Sequence, residues 1–262
     1  MIRYGFVLWT SARQQWVYRS EMAARAVQMV LFMGVFMALW TTAYSVSGRA
    51  ELAGYSLAQM VWYLAMTETV TLSTSRIFLE ISEAVRAGDL AYTLARPLSY
   101  PFFQVANSLG GSVPRFLLNL LTASAVVALG MRQLAGSPAG LAAFLVLAAL
   151  ALLLDALVAV LIGLVAFWIE EVNPIYWIYN KLLFTVGGLF LPLEMFPPWL
   201  QRAVRWLPFQ FITYAPARAF VAFEPEFLIR AVAGQIACII LFAALVLLVW
   251  RWAQRRMVVH GG

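Results

Sequence analysis

Long runs of mostly apolar residues constrain the fold of this chain more than any other feature. Six of them occur, at residues 26–46, 56–75, 113–131, 141–168, 175–193 and 228–250. A helix needs roughly 20 such residues to cross the hydrocarbon core of a bilayer, and a helix satisfies its own backbone hydrogen bonds where water is absent. The sequence therefore predicts an all-α, polytopic membrane protein with six transmembrane helices.

The composition supports this interpretation. Hydrophobic residues make up 63% of the chain and charged residues only 11%, whereas soluble domains carry about 25% charged residues. A net charge of +6 could indicate a nucleic-acid partner in a soluble protein. Here the basic residues lie between the apolar runs, which favours a membrane topology signal over nucleic-acid binding.

The basic residues are distributed unevenly over the two sides of the predicted bundle. If the N-terminus is cytoplasmic, twelve of the 18 Lys and Arg residues lie on the inner side and six on the outer side. Four of those six lie at 202–230, from the long segment after the fifth run to the start of the sixth. Because basic residues favour the cytoplasmic side, we expect a multi-pass protein of the cell (inner) membrane with cytoplasmic N- and C-termini.

Three segments outside the spans divide the chain, which we interpret as a single domain over residues 1–262. Residues 1–25 combine arginines with aromatic residues, a composition typical of a helix in the membrane interface. The inner segment 76–112 is amphipathic, carries both charge signs and is interrupted by Pro97 and Pro101. The outer segment 192–227 is too short in its apolar pieces and too charged to cross the membrane, so we expect a half-inserted helical hairpin there.

The sequence contains few of the residues and motifs that would indicate enzymatic activity. A P-loop needs Gly-Lys-Ser/Thr, but the one lysine, Lys181, follows Asn180. The one histidine is His260 and the one cysteine is Cys238, which disfavours a metal cluster or a nucleophile–base pair. We therefore predict no catalytic, cofactor-binding or metal-binding residue and no ATPase site of the chain's own.

Two acidic residues lie inside predicted spans, Glu68 and Asp155. A carboxylate at the bilayer centre costs about 2.5–3.5 kcal/mol on insertion scales. Each of them can line a polar pathway or relay protons, or each can be a hydrogen-bonded group that fixes helix packing. Gly187 and Gly188 in the fifth run are typical of close helix approach.

Two stretches resemble the ABC-2 type permeases, the membrane subunits of bacterial ATP-binding cassette exporters. The first, GGLFLPLEMFPPWLQRAVRWLPFQFITYAPARAF at 187–220, is similar to the family's Gly-rich span end, proline-marked turn and short helix. The second, GDLAYTLARPLSY at 88–100, resembles a subgroup of small bacterial members. The hairpin residues that we single out on this basis are Pro192, Pro197, Pro198, Trp199, Trp206 and Pro208.

The resemblance implies a division of labour among subunits. Two permease subunits, of the same or a related chain, form a pathway between membrane lipids, and two separate ATPase subunits bind ATP and Mg²⁺ in the cytoplasm. It also implies export of a hydrophobic or amphipathic substrate such as a lipid, a glycolipid, a peptide or a drug.

Under this interpretation an inner element must transmit force from the ATPase subunits to the spans. We predict a coupling helix at 80–90, in which Ile81, Val85 and Leu90 pack on the spans. Its charged residues Glu80, Glu83, Arg86 and Asp89 would face the ATPase; the alternative is a solvated amphipathic loop. A second contact is predicted at Glu170, Glu171 and Asn173.

Two other functions stay open at this point. The chain could be an ion-coupled secondary carrier in which Glu68 and Asp155 act as the relay. It could also be an intramembrane enzyme acting on lipid, although a single histidine near the C-terminus disfavours a clustered nucleophile and base.

Overall fold

The computed structural model describes residues 2–15, 17–88 and 98–260 of the chain. In these ranges the fold is all-α, as predicted, apart from one short antiparallel hairpin in which Glu51 pairs with Ser56 and Leu52 with Tyr55. The elements are α1 (Ile2–Gln15), α2 (Arg19–Ser47), β1 (Glu51–Leu52), β2 (Tyr55–Ser56), α3 (Leu57–Thr71), α4 (Ile77–Ala87), α5 (Tyr100–Met131), α6 (Pro138–Leu164), α7 (Asn173–Val186), α8 (Pro198–Val204), α9 (Tyr214–Val221) and α10 (Pro225–His260). Short 3-10 turns lie at Val165–Phe167, Leu193–Met195 and Pro208–Phe211.

Four helices in the described part of the chain are long and apolar enough to cross a membrane. They are Arg19–Ser47, Tyr100–Met131, Pro138–Phe167 and Pro225–Arg255. Each contains most or all of one predicted run: 26–46, 113–131, 141–168 and 228–250, respectively. The chain is therefore a multi-pass membrane protein, and these four spans agree with the prediction.

The other two predicted runs correspond to shorter helices. α3 has 15 residues and α7 has 14, which is about 21–22 Å at 1.5 Å per residue, less than the ~30 Å hydrocarbon core. The predicted runs 56–75 and 175–193 thus extend beyond the helices at their C-terminal ends. Hydropathy alone cannot detect these ends, because the residues that follow each helix are apolar or uncharged but leave the helical conformation.

α3 and α6 form the interior of the fold. Every residue from Met60 to Val70 in α3 is buried, and 67% of the most apolar window of α6 is buried, against 17% in α2 and 11% in α10. A helix that is apolar on all sides is a buried one. At its start, α3 has a capping box in which Ser56 and Gln59 bond to each other's backbone N–H groups.

α5 corrects the prediction for the inner segment and the third run. We expected Pro101 to interrupt 76–112, but Pro101 lies in the first turn of α5, where a missing N–H costs nothing. The helix then continues through Pro114 to Met131. Residues 100–112 are therefore part of the same long helix as the predicted span 113–131, and Pro97 lies outside the described residues.

α1 is a helix, as predicted for part of 1–25, and it packs along the first half of α5. The approach is close because Gly110 has no side chain: a Cβ there would lie 2.5 Å from the carbonyl oxygen of Leu8. Tyr4 Oη accepts a hydrogen bond from the backbone N–H of Ser99 at 3.2 Å. Its position in the membrane interface stays a prediction.

The bundle has two ends, which we call the α4 end and, after the helical segment 192–227, the hairpin end. At the α4 end, the ring of Tyr100 stacks on Trp250 at 5.0 Å, and Phe78 stacks on Tyr176 at 3.9 Å. At the hairpin end, Trp62 Nε1 donates to the carbonyl of Gln133 at 2.8 Å. The segment 192–227 lies at this end, because the ring of Phe220 in its helix α9 lies 5.4 Å from the ring of Trp62.

Candidate functional site

The predicted coupling segment is an amphipathic helix, α4, that runs from Ile77 to Ala87 rather than from 80 to 90. Its apolar residues Ile77, Phe78 and Ile81 are buried at 0–2% exposure, and Val85 is half-buried. α4 ends at Gly88, whose φ of 74° belongs to the left-handed region that terminates many helices.

The charged residues of α4 share its exposed face. Glu80, Glu83 and Arg86 are all exposed, and their spacing of three residues keeps them on one side of a helix. Asp89 and Leu90, which we predicted to extend the two faces, lie outside the described residues. One face of α4 is thus seated in the protein, and the opposite face presents charge.

Ile81 anchors the buried face on α6. A Cβ placed on Gly163 would lie 2.9 Å from both Cβ and Cδ1 of Ile81, so this isoleucine fits against α6 only because residue 163 has no side chain. Ile81 belongs to an apolar cluster that also includes Trp250 of α10. The contact fixes the position of α4 relative to the most buried long helix.

A polar network joins α4 to α1 and α5. Ser11 Oγ donates to Asn107 Oδ1 at 2.6 Å, and Asn107 Nδ2 donates to Glu80 Oε2 at 3.2 Å. Arg115 Nη2 donates to Gln15 Oε1 at 3.1 Å. These side chains line a cavity of about 290 Å³.

The charge of Glu80 depends on this environment. Although part of the Glu80 side chain is exposed, the protein around its carboxyl partly desolvates it and raises its pKa, while the hydrogen bond from Asn107 and the charge of Arg115 oppose the rise. Sequence reasoning missed this cavity, although Asn107, Gly111 and Arg115 recur at intervals of four residues on one face of α5. The prediction placed Asn107 and Gly111 in the inner segment 76–112 and Arg115 in the separate span 113–131, so the three residues were not considered on one helix.

The start of the hairpin shows why α7 is short. The chain leaves the helix at Gly187, and Gly188 has a φ of +79°. The freed carbonyl groups are bonded by buried side chains: Thr213 donates to Gly187, Tyr63 to Gly188, and Thr67 to Leu189. Irregular backbone at membrane depth is tolerated where protein satisfies it in this way. The two glycines therefore terminate a helix, and they also allow a close approach, since a Cβ on Gly188 would lie 3.0 Å from Cβ of Tyr214 in α9.

The predicted hairpin residues mark the turns of the segment 192–227. Pro198 and Pro208 lie in the first turns of α8 and of the 3-10 turn Pro208–Phe211, and Pro192 and Pro197 immediately precede such turns. The side chains of Trp199 and Trp206 are 65% and 88% exposed. These short helices agree with a helical hairpin; its depth in the membrane stays a prediction.

A family model described as "ABC-2 family transporter protein" matches residues 26–261. The chain belongs to this family. A comparison with curated proteins found no match. The family match confirms the resemblance that the motifs at 187–220 and 88–100 indicated, and it makes the chain a membrane component of transport.

The second predicted contact of this ABC-2 chain is a turn between α6 and α7. Glu170 and Glu171 are exposed there, and Glu171 Oε1 accepts a hydrogen bond from the backbone N–H of Asn173 at 3.3 Å. An acid at a helix N-terminus interacts favourably with its free N–H groups, so Glu171 has a structural role at the start of α7. The turn lies at the α4 end, as Tyr176 of α7 stacks on Phe78.

The two buried carboxylates of the ABC-2 chain differ in their partners. Asp155 Oδ1 accepts a hydrogen bond from Tyr179 Oη at 2.6 Å, which links α6 to α7. Glu68 is 2% exposed, and its Oε1 has no partner among the described residues. In the same ranges no hydrogen bond joins Glu68 to Asp155, and no group of three or more His, Cys, Asp or Glu could hold a metal ion.

Proposed function

We propose that this chain is the permease subunit of an ABC exporter. With a second permease subunit, of the same or a related chain, it would form the pathway for a hydrophobic or amphipathic substrate, and two separate ATPase subunits would hydrolyse ATP with Mg²⁺. The observation that carries the proposal is α4, seated by Ile81 on α6 and presenting Glu80, Glu83 and Arg86 outward. A charged exposed face on a seated helix is suited to bind a soluble partner and to pass its movement to the bundle.

The topology that goes with this function has six crossings. The helices α3 and α7 are too short to cross alone, and each would complete its crossing through the non-helical residues that follow it, 72–76 and 187–192. The α4 end would then face the cytoplasm together with both termini, in the cell membrane, and the hairpin would lie half-inserted on the outer side. The excess of basic residues assigned to the inner side supports this orientation.

Charge reversal on α4 tests the coupling role. We expect the combined substitutions Glu83→Lys, Arg86→Glu and Asp89→Lys to leave membrane insertion intact and to reduce transport. Like-charge contacts across an interface cost several kcal/mol, whereas a single exposed pair contributes about 0–1 kcal/mol, so the three changes are made together. Loss of the ATPase on co-purification, or ATP hydrolysis without transport, is the expected readout.

A matched control reverses the same number of charges at the hairpin end. Arg49→Glu, Glu51→Lys and Glu226→Lys all change exposed residues and should retain the ATPase. If the α4 variant is well expressed and transports normally, α4 is not the coupling element. The turn at 170–173 would then be the next segment to examine.

Cysteine labelling tests the orientation separately. In a Cys238→Ser background, single cysteines at positions 49, 135 and 201 should react with an impermeant thiol reagent outside intact cells, and one at 254 should not. Labelling at 254 with none at 49 would invert the topology.

A second candidate function is ion-coupled transport, which the unpartnered Oε1 of Glu68 favours. Asp155 fits the relay less well because Tyr179 already bonds it. Transport that follows a proton gradient, needs no ATPase and is abolished by Glu68→Gln would favour this carrier over the exporter.

A further inference from the structure

A second cavity, of about 400 Å³, lies at the hairpin end between the hairpin and the first turns of α10. Its apolar walls include Phe211 and Phe227, and three arginines also line it: Arg205, Arg218 and Arg230. The two phenylalanines lie on different elements, the 3-10 turn at 208–211 and α10. One carboxylate, Glu194, also lines it. The cavity thus combines an apolar surface with an excess of positive charge.

One of the three arginines is neutralised within the protein. Arg218 forms ion pairs with Glu194 (Nε to Oε1, 3.3 Å) and with Glu224 (Nη2 to Oε1, 3.0 Å), and its guanidinium lies 4.1 Å from the ring centre of Phe227. Tyr214 Oη also donates to Glu194 Oε1 at 2.6 Å. Arg218 is therefore fixed in the wall of the cavity and contributes little free charge.

Arg205 and Arg230, unlike Arg218, are not neutralised by other side chains in the described ranges. Both are exposed, and in the described ranges neither guanidinium has a hydrogen bond or an ion pair. They approach the cavity from separate elements, Arg205 from the C-terminal cap of α8 and Arg230 from α10. Two uncompensated positive charges thus border one apolar cavity.

Hydrogen bonds hold the walls in place. Gln210 Nε2 donates to the carbonyl of Arg205 at 2.7 Å, and Gln201 Nε2 donates to that of Phe196 at 2.8 Å. Gln235 of α10 donates to the carbonyl of Phe211 at 2.8 Å. A site held in this way loses less conformational entropy on binding than a flexible one.

We propose that this cavity binds the phosphate group of an amphiphile, with Arg205 and Arg230 on the phosphate and Phe211 and Phe227 against its apolar part. Arginine forks match phosphate geometry and form charge-assisted hydrogen bonds with it. A phosphate monoester offers three acceptor oxygens, enough for two guanidinium groups on different elements. Binding itself does not depend on the exporter function; only the placement of the cavity on the outer side rests on it.

Binding is measured on the full chain, purified in dodecyl maltoside, without ATPase or ATP. Dodecyl phosphate is titrated by isothermal calorimetry against the background of the neutral detergent, and inorganic phosphate is titrated in parallel. We expect one dodecyl phosphate site per chain. Arg205→Gln with Arg230→Gln should weaken it by at least about tenfold, since two charge-assisted bonds are lost.

Arg202→Gln is the matched control, because Arg202 is an exposed arginine of α8 that does not line the cavity; it should change affinity by less than about twofold. Arg205→Lys with Arg230→Lys keeps the charge and should bind more tightly than the glutamine pair. Absence of dodecyl phosphate binding, an unchanged affinity in the glutamine pair, or an equal loss in Arg202→Gln would overturn the site. Equal affinity for inorganic phosphate would retain a phosphate site and overturn the amphiphile. Because no ATPase is present, none of these outcomes can be confused with a failure of coupling.

Discussion

The substitution Gly163→Ala should displace α4 from its seat on α6. The new Cβ would lie 2.9 Å from Cβ of Ile81, whereas carbon atoms pack at about 3.5–4.0 Å. Cβ of Ile81 is fixed to the backbone of α4, so a change of rotamer cannot remove the overlap. The helix itself has to move, although both residues are buried in a packed cluster.

The expected loss of stability follows from two opposing effects. Overpacking of a buried site costs about 1–3 kcal/mol of stability. Replacing glycine by alanine inside a helix stabilises the helix by about 0.8–1 kcal/mol. We therefore expect Gly163→Ala to lower the free energy of unfolding by about 0.5–2 kcal/mol. Gly34→Ala is the matched control, since nothing lies within 4 Å of a Cβ there, and it should be neutral or slightly stabilising.

The assay is thermal unfolding of the purified variants in one detergent, together with Ile81→Ala alone and combined with Gly163→Ala. Ile81→Ala alone should cost about 2–5 kcal/mol because it leaves a cavity. Ile81→Ala removes Cδ1 and Cγ2, which the new methyl group of Gly163→Ala would also meet, but keeps Cβ. The overlap is therefore relieved in part, and the double variant should lose less stability than the sum of the two single losses by about 0.5 kcal/mol or more. A Gly163→Ala variant that melts at or above Gly34→Ala would refute the proposed seat.

Three further substitutions test individual contacts by thermal unfolding. Thr213→Val removes the donor to the carbonyl of Gly187, and Tyr179→Phe removes the donor to Asp155; each leaves a buried acceptor without that bond and should cost about 1–3 kcal/mol. Glu80→Gln should change the pH dependence of stability. Burial raises the pKa of this carboxyl, so the folded protein holds the proton to higher pH than the unfolded chain. Stability of the wild type should therefore fall, relative to the variant, as pH rises from the ordinary glutamate pKa through the raised one.

Each of the three has a control of the same chemical type. Thr122→Val removes a hydroxyl that bonds only within its own helix, to the carbonyl of Leu118, and Tyr18→Phe changes a side chain that is 53% exposed. Glu83→Gln removes an exposed carboxyl of the same helix as Glu80. If the controls lose as much stability as the test variants, or if Glu83→Gln alters the pH profile as much as Glu80→Gln, the contacts do not have the assigned roles.

Hydropathy and periodicity predicted the features that are local in the sequence. The four long spans follow from the length of their apolar runs, and the two faces of α4 follow from the spacing of Ile81 and Val85 and of Glu80 and Glu83. The Gly-Gly pair at 187–188 was recognised as the end of a span through the resemblance, and the close approach expected there is found at Tyr214. Residue type and spacing alone carry this information.

Features that depend on tertiary contact could not be read in the same way. A proline usually ends a helical pattern, yet α5 contains Pro101 in its first turn and continues through Pro114. The close approach of α1 at Gly110 and the cavity around Asn107 need two elements to meet. The early end of α3 at Thr71 is a local feature instead: the side-chain hydroxyl of Thr74 donates to the carbonyl of Thr71 in a turn that no apolar pattern reveals.

α6 connects the two regions to which we assign function. Near its C-terminal end Gly163 receives Ile81 of α4. Near its other end the first turn meets the hairpin, because a Cβ on Gly140 would lie 2.6 Å from the carbonyl oxygen of Phe220 in α9. Between them Gln235 of α10 donates to the carbonyl of Leu147 and also to the hairpin.

The 27 residues of α6 extend about 40 Å without interruption. Under the proposed exporter function, a force on α4 would reach the hairpin through one continuous helix with packed, glycine-fitted contacts at both ends, because close-packed contacts shift between discrete arrangements rather than deform gradually. The charge reversal on α4 and the arginine variants of the hairpin cavity would therefore act at opposite ends of the same helix. Dodecyl phosphate binding at the hairpin end should then depend on the position of α4, and Gly163→Ala, which moves α4 without touching the cavity, is the variant in which that dependence can be measured.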